Sequence, residues 1–502
     1  MSKFIESTHP LYSKHAHQWE RCADAFEGGD AVKEKGEVYL PKLPGQDPDE
    51  YAAYKLRAVW FGASRRTLDL FTGLVFAKAT KYEGAKPDDP LMQDADLSGT
   101  TFDDIAEETL EEVLGLGRFG VLVDFSGEIQ PGASLGDAER SGARPFVACY
   151  YAADILNWHT ASIGGRKTLD HLCLRESYED AEGKVADQHR ELVLESMIFG
   201  EKTVLGYRSE VWRKVKNSET GKEEWVTIPD LQTIPVMGGK PLDRIPFFFF
   251  GPEGGRPDPS EPPLLDLVDV NYSHYRTEAD LEHALYHCGL PTPTAVGVPE
   301  DFVFALGGRN GLVATNPDAK FTYLEYSGSG VEPLEKRLTQ KEAWMAKLGS
   351  DRLADDKLAA ETATTAAIRK SGEAATLASM VQAVSGQLSK VLALLVSWAG
   401  GTGDAASVQL NTEFLPATVT PQELTVLLQA VQSGDVRRVD FLRRLQVGGI
   451  IAQDVDVEEI DKDLGDQSSG TLGSGLLALA EQKRKADADA AAAASAAKGG
   501  NA

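Results

Sequence analysis

Cysteine is scarce in this 502-residue chain. It contains only Cys22, Cys149, Cys173 and Cys288, which are widely scattered and form no CxxC pair. The sequence therefore suggests neither a zinc ribbon nor a disulfide framework. Synthesis in a reducing, intracellular compartment fits this usage.

Long apolar runs are also missing. The strongest run, residues 391–398 (VLALLVSW), is much shorter than the roughly 20 residues that span a bilayer. The first twenty residues lack the apolar core of a signal peptide. We expect a soluble chain with no membrane partner.

Basic residues are in deficit. The 51 Lys and Arg residues face 77 Asp and Glu residues, which gives a net charge of −26. This balance argues against a protein that grips nucleic acid through a broad basic face, because such binding uses Lys and Arg to neutralise phosphates. It leaves open a protein that must let DNA slide past. The content of 42% hydrophobic and 25% charged residues is that of a globular protein with room for roughly three domains.

Catalytic motifs are absent. Gly221-Lys222 is followed by Glu223 and lacks the upstream glycine of a Walker A loop, which removes the usual ATP-driven motor. No GxSxG elbow occurs, and no Cys or Ser can be joined to a His and an acid. We therefore expect no enzymatic activity and no cofactor.

One glycine motif has to be weighed against that expectation. Gly115-Leu-Gly117-Arg-Phe-Gly120 matches GxGxxG, but a dinucleotide site needs a strand before it and a helix after it. Here an acidic helix precedes the glycines and a strand follows. The order favours a helix C-terminus, whose negative end repels phosphate.

Two segments resemble metal sites only in part. Residues 94–99 (DADLSG) copy the first half of an EF-hand loop, but the twelfth position, which should be a bidentate Glu, is Ile105. His283 and His287 lie one helical turn apart, yet they supply only two ligands, and Cys288 points to a different face. We interpret these segments as an exposed acidic turn and as histidines in a helix or subunit interface, and we predict no metal.

The hydrophobic pattern predicts an α+β fold. We expect helices at 10–26, 48–78 and 101–116, a strand at 120–125, and an antiparallel sheet within 144–252 that the run IPFFFFGP closes. Helix 101–116 has Thr101 as its cap and a buried stripe, and NSETGK is a plausible hairpin loop. Six residues are expected to share the buried face of helix 48–78: Tyr51, Tyr54, Ala58, Phe61, Leu68 and Phe71.

Residues 263–399 are the organising stretch. A helical limb at 263–288 leads into an insert rich in Pro and Gly, a second limb at 333–348 returns from it, and a long helix at about 358–399 follows. The long helix carries a seam with alternating spacings of four and three: Leu377, Val381, Val384, Leu388, Val391, Leu395 and Trp398. Periodicity alone leaves a core helix and an inter-subunit helix equally open.

The remaining chain is predicted to be mostly helical. Residues 411–415 are a candidate last strand, and Thr420, Pro421 and Glu423 form a strong helix start. A second helix is expected at VRRVDFLRRLQV, before Gly448, and a short acidic third at 455–464. The tail to Ala502 is low in complexity.

This arrangement resembles the portal protein, or head-to-tail connector, of tailed bacteriophages, from about residue 39 to residue 464. The resemblance rests on element order and on six stretches: YLPKLPGQDPDEYAAYKLRAVWF with TLDLFTGLVFAK, GLGRFGVLVDF, RPFVACYYAADILNW, and IPFFFFGP leading into PPLLDLVDVNYSHYRTEADLEHALYHCGLPTP.

The resemblance implies a portal-type subunit. Its parts would be a helical and β wing at 1–262, stem helix 1 at 263–288, a small β-containing clip at 289–332, stem helix 2 at 333–348, a tunnel loop and long wing helix at 349–415, a helical crown at 416–464 and a flexible Ala-rich tail at 465–502. Such subunits form rings, usually dodecamers, at one capsid vertex of the virion.

The function that the resemblance implies is a DNA channel for viral genome packaging and ejection. Implied partners are double-stranded DNA, a terminase, the capsid protein and head-completion or tail adaptor proteins, with synthesis in the host bacterial cytoplasm. Arg352 and Lys357 are the candidate DNA-facing residues of the tunnel loop. The alternatives are a nucleotide-dependent enzyme built on GLGRFG and another structural virion component, such as a minor capsid or adaptor protein.

Overall fold

A computed structural model describes residues 3–126, 142–180, 183–216, 221–289, 292–298, 316–324, 328, 330–349, 363–414, 426–431, 436–447 and 457. The fold is mixed α+β, as predicted. The chain divides into two compact units, Met1–Phe414 and Leu415–Ala502.

The first unit begins with helices. They are α1 (Lys3–Glu6), α2 (Pro10–Glu27), α3 (Gly29–Glu34), α4 (Pro48–Arg57) and α5 (Ala63–Phe76). The predicted helix at 10–26 is confirmed as α2, which starts with Pro10 and whose cap residue His9 accepts a hydrogen bond from the Leu11 amide.

The single helix predicted at 48–78 is wrong. The Asp47–Glu50 capping box starts α4, but Ala58 takes an extended conformation, and α5 begins only at Ala63. The break lets Trp60 pack against the rings of Tyr272 (5.1 Å between centroids) and Tyr275 (5.7 Å) on a distant helix. Five of the six residues predicted for the buried face are buried, whereas Phe61, within the break, is 36% exposed.

A three-stranded antiparallel sheet shares a hydrophobic core with these helices. Strand β1 (Lys81–Glu83), helix α6 (Pro90–Gln93) and helix α7 (Phe102–Leu116) precede strands β2 (Phe119–Phe125) and β3 (Pro145–Tyr151). The predicted Thr101 cap is confirmed by a capping box with Asp104. The phenylalanine run forms a later strand (Phe247–Phe250) that pairs with β2. It therefore closes this sheet, not the larger one as predicted, because its rings complete the core beneath β2.

The strand-like hydrophobic pattern of residues 144–252 is confirmed by a second antiparallel sheet, which has five strands. It contains β4 (Ile155–Ile163), β5 (Arg166–Glu179), β6 (Val185–Phe199), β7 (Lys202–Lys216) and β8 (Glu223–Thr227) in sequential order. Strands β7 and β8, on either side of the predicted NSETGK loop, pair in antiparallel fashion as expected, while residues 217–220 of that loop lie outside the described residues. A small ribbon of β9 (Val236–Met237) and β10 (Lys240–Pro241) then leads to β11, the Phe247–Phe250 strand.

The central stretch has the predicted order of elements. Helix α8 (Leu265–Gly289) is followed by the paired strands β12 (Thr292–Val296) and β13 (Lys320–Leu324), then by helices α9 (Val331–Leu348) and α10 (Ala363–Trp398). The strand predicted at 411–415 is wrong. Strand β14 is Ser407–Gln409, paired with β1, while the Asn411 side chain leaves the sheet to donate a hydrogen bond to the Leu74 carbonyl.

Helix α10 runs through the core of the first unit. All seven residues of the predicted seam are buried there, in one hydrophobic cluster with α2, α5, α7, β2 and α8. Within the described residues, Ala374–Trp398 is long and apolar enough, by length and composition alone, to cross a membrane. A core helix has the same composition, and the buried seam gives α10 the packing of a core helix.

The second unit has its own small core. A helical segment at 426–431 packs against helix α11 (Arg438–Val447), which corresponds to the predicted helix VRRVDFLRRLQV. Phe441, Leu442 and Leu445 of α11 are buried in this core together with Val457. The predicted helix start at 420–423, most of the predicted helix 455–464 and the tail lie outside the described residues.

Candidate assembly site

Helix α8 is anchored in the core of the first unit over its first half. Leu267, Val268, Tyr275 and Ala279 are almost fully buried, and the Tyr272 ring stacks on Tyr39 at 4.3 Å between centroids. Burial of this kind stabilises a helix by about 1.5–3 kcal/mol for each large apolar side chain. The position of α8 is therefore set by the core.

Hydrogen bonds fix the rotation of α8 about its axis. The Asn271 Oδ1 accepts from the backbone amide (3.2 Å) and the hydroxyl (3.0 Å) of Ser64 in α5. The Tyr54 hydroxyl of α4 donates to Asp280 Oδ1 at 2.7 Å. These side chains belong to the helices on either side of the break at 58–62, so the break and α8 are built together.

Helix α9 touches the rest of the unit through a narrow stripe. Leu338, Lys341 and Met345 are its buried residues, and most of the other side chains are exposed. Their spacing of three and four is that of a helix-packing seam with a lysine in its centre. The α8–α9 contact is therefore narrow, and part of it is polar.

Lys341 makes the principal polar contact in this stripe. It is 5% exposed, and its Nζ donates to the Ser273 carbonyl (2.7 Å) and to the Thr277 hydroxyl, both on α8. Burial lowers the pKa of Lys341. Nearby, the buried His274 Nε2 lies 3.5 Å from Glu342 Oε1, and burial lowers the pKa of His274. Charge in this interface is tolerated because α8 supplies oxygen atoms to it.

Large apolar side chains face water beyond this stripe. Trp344 on α9 is 44% exposed, and at the end of α8 Leu285 and Tyr286 are 41% and 45% exposed. On the β12–β13 hairpin, Val296 and Tyr323 are also exposed. We call these five residues the assembly surface. Exposed apolar side chains mark protein–protein contacts where they form one patch.

Arginines lie over two rings of the assembly surface. The Arg337 guanidinium is 4.7 Å from the Trp344 ring centroid, and that of Arg57 is 4.2 Å from Tyr286. Such pairs are common at interfaces, where Trp, Tyr and Arg are enriched. Sequence reasoning missed this set. Its detectable signal was Trp344, a large aromatic residue seven positions after Arg337 and outside the 338-341-345 stripe.

The glycine motif is filled by the chain itself. Gly117 ends α7 with φ +73°, and a Cβ there would lie 3.0 Å from the carbonyl oxygens of Ser260 and Glu261. A Cβ on Gly120 would meet the Phe247 ring at 2.2 Å, and one on Gly115 would lie 3.1 Å from Phe26. The three glycines permit close packing at a helix C-terminus. The space beside them is filled by two phenylalanine rings and, at Gly117, by carbonyl oxygens, which would repel a pyrophosphate.

Arg118, within that motif, is the largest fully buried side chain among the residues that the structure describes. It is 1% exposed, donates to the Pro257 carbonyl at 2.7 Å, and lies 4.1 Å from the Trp158 ring centroid. Burial lowers the pKa of Arg118 to about 9. The guanidinium thus holds the 251–262 segment, which leads into α8, against the core.

The metal-like motifs are occupied by internal contacts. The Asp96 Oδ1 accepts from the amides of Ser98 and Thr100, and Asp94 Oδ1 accepts from Gly99, so the carboxylates close a turn. The rings of His283 and His287 lie 4.5 Å apart, edge to face. In the described part of the chain, no group of three His, Cys, Asp or Glu residues could hold a metal ion.

The two predicted tunnel-loop residues, Arg352 and Lys357, lie outside the described residues. Their role stays a prediction. The seam on α10 is described and is covered by the chain's own core. Within the described part of the central stretch, the large exposed apolar side chains are those of the assembly surface.

Comparisons with known proteins add the following. A family model described as a domain of unknown function (DUF4055) matches residues 263–399, the segment from α8 to the end of α10 and less than a third of the chain. No curated protein matches the chain.

Similar solved structures include two neck assemblies of gene transfer agent (GTA) particles. One is the neck of a native GTA particle computed with C12 symmetry, and the other is the neck of an empty GTA particle computed with C6 symmetry. Both chains are 12% identical to this one, with a TM-score of 0.35. The matches cover 81% and 82% of this chain, and 95% and 96% of the other chains.

Proposed function

We propose that this protein is a structural virion component of the head–tail junction, specifically the portal subunit. In this proposal it assembles into a ring, usually of twelve copies, at one capsid vertex. Double-stranded DNA enters through the ring during packaging and leaves through it during ejection. The ring also carries docking sites for a terminase, the capsid protein and head-completion or tail proteins.

The observation that carries the proposal is the α8–α9 pair with its β12–β13 insert. Helix α8 is fixed in the core, while α9 has one narrow buried stripe and leaves Trp344 exposed. A helix with so little tertiary packing is marginal by itself, because most helical stability in proteins comes from packing of an apolar face. In a ring, the adjacent subunit would cover the assembly surface and complete that packing.

The dimensions and charge agree with a conduit. Helix α8 has 25 residues, which at 1.5 Å per residue gives roughly 38 Å, enough to cross a protein shell. The net charge of −26 would repel phosphates weakly over a Debye length of about 8–10 Å. Such a wall does not trap DNA. Arg352 and Lys357 remain the proposed tunnel-loop contacts.

The alternatives differ in what they require. A nucleotide-dependent enzyme would need space at the GLGRFG turn, where Gly117 is packed against carbonyl oxygens and Gly120 against Phe247. Another structural virion component, such as an adaptor, is compatible with the assembly surface. It does not require the order of helix, insert and second helix that α8, the β12–β13 hairpin and α9 form. In this proposal the ring has no enzymatic activity.

Low-resolution imaging of the purified protein tests the proposal. A portal subunit forms wide rings with a central hole and a narrower stem on one side. An adaptor would form a different, thinner ring or none, and an enzyme would bind NAD or ATP as a monomer or small oligomer. Either result would contradict the portal assignment.

A further inference from the structure

The second unit carries a basic helix in an otherwise acidic chain. Residues 436–447 contain Arg437, Arg438, Arg443 and Arg444 against the single acid Asp440, a net charge of +3 by count. The whole chain has a net charge of −26. The local charge is therefore opposite in sign to that of the protein.

The geometry of α11 separates these arginines from its core. Phe441, Leu442 and Leu445 are buried against Leu427, Leu428 and Val431 of the neighbouring helical segment. Arg437, Arg443 and Arg444 are exposed, with the Arg437 side chain 80% exposed even though it forms an ion pair with Asp440. We call these three residues the arginine face.

We infer that the arginine face contacts the phosphate backbone of double-stranded DNA. The inference rests on the proposed function, because it adds a second DNA contact to a protein proposed to conduct DNA. It concerns a unit separate from the tunnel-loop candidates, Arg352 and Lys357.

Residue type favours phosphate as the ligand. All four cations of residues 436–447 are arginines, and residues 415–461 contain no lysine. The planar guanidinium presents paired donors that match phosphate and carboxylate oxygens, whereas lysine acts as a point charge.

Charge density favours DNA over the chain's own carboxylates. Duplex DNA carries one negative charge per about 1.7 Å of its axis, which is far denser than a protein surface of mixed charge. Within the arginine face, Arg437 and Arg443 are six residues apart, or about 9 Å along a helix. That separation allows one helix to contact more than one phosphate. The acidic surface of a second copy is the competing partner.

The experiment uses the full chain and a short fluorescent duplex DNA. Binding is measured by fluorescence anisotropy over a range of salt concentrations for the wild type and for the triple variant Arg437→Ala, Arg443→Ala, Arg444→Ala. A second triple variant keeps the charge by replacing the same residues with lysine. The matched control is the triple variant Arg166→Ala, Lys167→Ala, Arg256→Ala, which removes three exposed cations elsewhere. Its net charge equals that of the arginine-to-alanine variant.

The arginine-to-alanine variant is expected to lose at least about tenfold in affinity at low salt. Its slope of log affinity against log salt should fall by about 2 to 3, since each phosphate contact contributes about 0.9. The lysine variant should retain most of the slope, and the control should resemble the wild type. Equal binding by the triple variant and its control, or no DNA binding by the wild type, would overturn the inference.

Particle mass, measured on the same samples, separates this inference from the proposed function. If the arginine-to-alanine variant loses its assembly but not its DNA binding, the face contacts a second copy and the inference is wrong. If the wild type binds DNA through the arginine face but never forms a ring, the portal proposal fails while the inference stands.

Discussion

The Lys341 ammonium crosses the α8–α9 contact and donates to the Ser273 carbonyl, 2.7 Å away. Its stem lies in the stripe between Leu338 and Met345, so one side chain supplies both packing and polar contact. This pair joins the two helices on which the assembly surface is carried.

Replacing Lys341 tests how the two helices are held. Lys341→Ala removes buried methylenes and a charge-assisted hydrogen bond, so unfolding should become easier by about 1.5–3 kcal/mol. Lys341→Met keeps the volume of the side chain and should cost less than about 1.5 kcal/mol. Urea denaturation measures both. Equal losses for the two variants would show that packing is unimportant here.

The pH dependence of the Lys341→Met variant has a defined sign. Burial lowers the pKa of Lys341 below 10.5, so the folded protein carries a cost while the amine is charged. That cost is relieved as the pH rises through the folded pKa towards 10.5. The stability of Lys341→Met relative to wild type should therefore decline over this alkaline range. A constant difference would contradict the burial of a charged amine.

Glu112 on α7 provides a second pH test. Burial, and then the neighbouring Glu108 and Glu111, raise the pKa of Glu112 to about 8. Among the described residues, its Oε2 has no hydrogen-bond partner. The pKa of Glu112 in the folded protein exceeds the ordinary value of 4.5. Its contribution to the stability of the fold is therefore fully present below pH 4.5 and is lost as the pH rises through 8.

Glu112→Gln should remove that loss. Its advantage over wild type should grow across this range to on the order of 2 kcal/mol, given that one pKa unit is worth about 1.4 kcal/mol and part of the side chain meets solvent. Thermal denaturation at several pH values measures the effect. The matched change Glu107→Gln, at an exposed position of α7, should leave the profile as it is. If both variants behave alike, the assignment to Glu112 is wrong.

The glycine motif is tested by one added methyl group. Gly120→Ala places a Cβ 2.2 Å from the Phe247 ring and should destabilise the fold by about 3 kcal/mol or more. Gly73→Ala is the matched control, because this glycine lies inside α5 with no atom near the new Cβ. It should stabilise by up to about 1 kcal/mol. A Gly120→Ala protein of normal stability would show that the motif serves something other than packing.

The assembly surface is tested at Trp344. Trp344→Ser should leave the stability of the isolated chain nearly unchanged, because the side chain is 44% exposed, while the mass of the assembled particle falls. Ile198→Ser, at an even more exposed site near the β6–β7 turn, is the control and should assemble normally. Light scattering distinguishes the two. Normal assembly of Trp344→Ser would remove this residue from the interface.

Local signals predicted part of the fold well. The Thr101 cap, the stripe on α7 and the C-terminal role of Gly117 were all predictable, because each depends on residues within a few positions of one another. The alternation of the five-stranded sheet was predictable for the same reason.

The missed features depend on distant partners. Trp60 interrupts a helical pattern to pack on Tyr272, more than 200 positions away, and the Phe247–Phe250 strand chooses β2 as its neighbour. Neither preference is visible in a local window. Lys341 was missed because a charged residue in an apolar stripe is usually exposed, and only the oxygen atoms of α8 make its burial possible.

The central claim is that the protein forms a closed ring. Mass measurement of the purified 54.2 kDa chain, by light scattering or native mass spectrometry, tests it most directly. The account predicts a single species of many subunits, near twelve times the chain mass, that persists on dilution. A protein that remains a 54.2 kDa monomer at every concentration would contradict it.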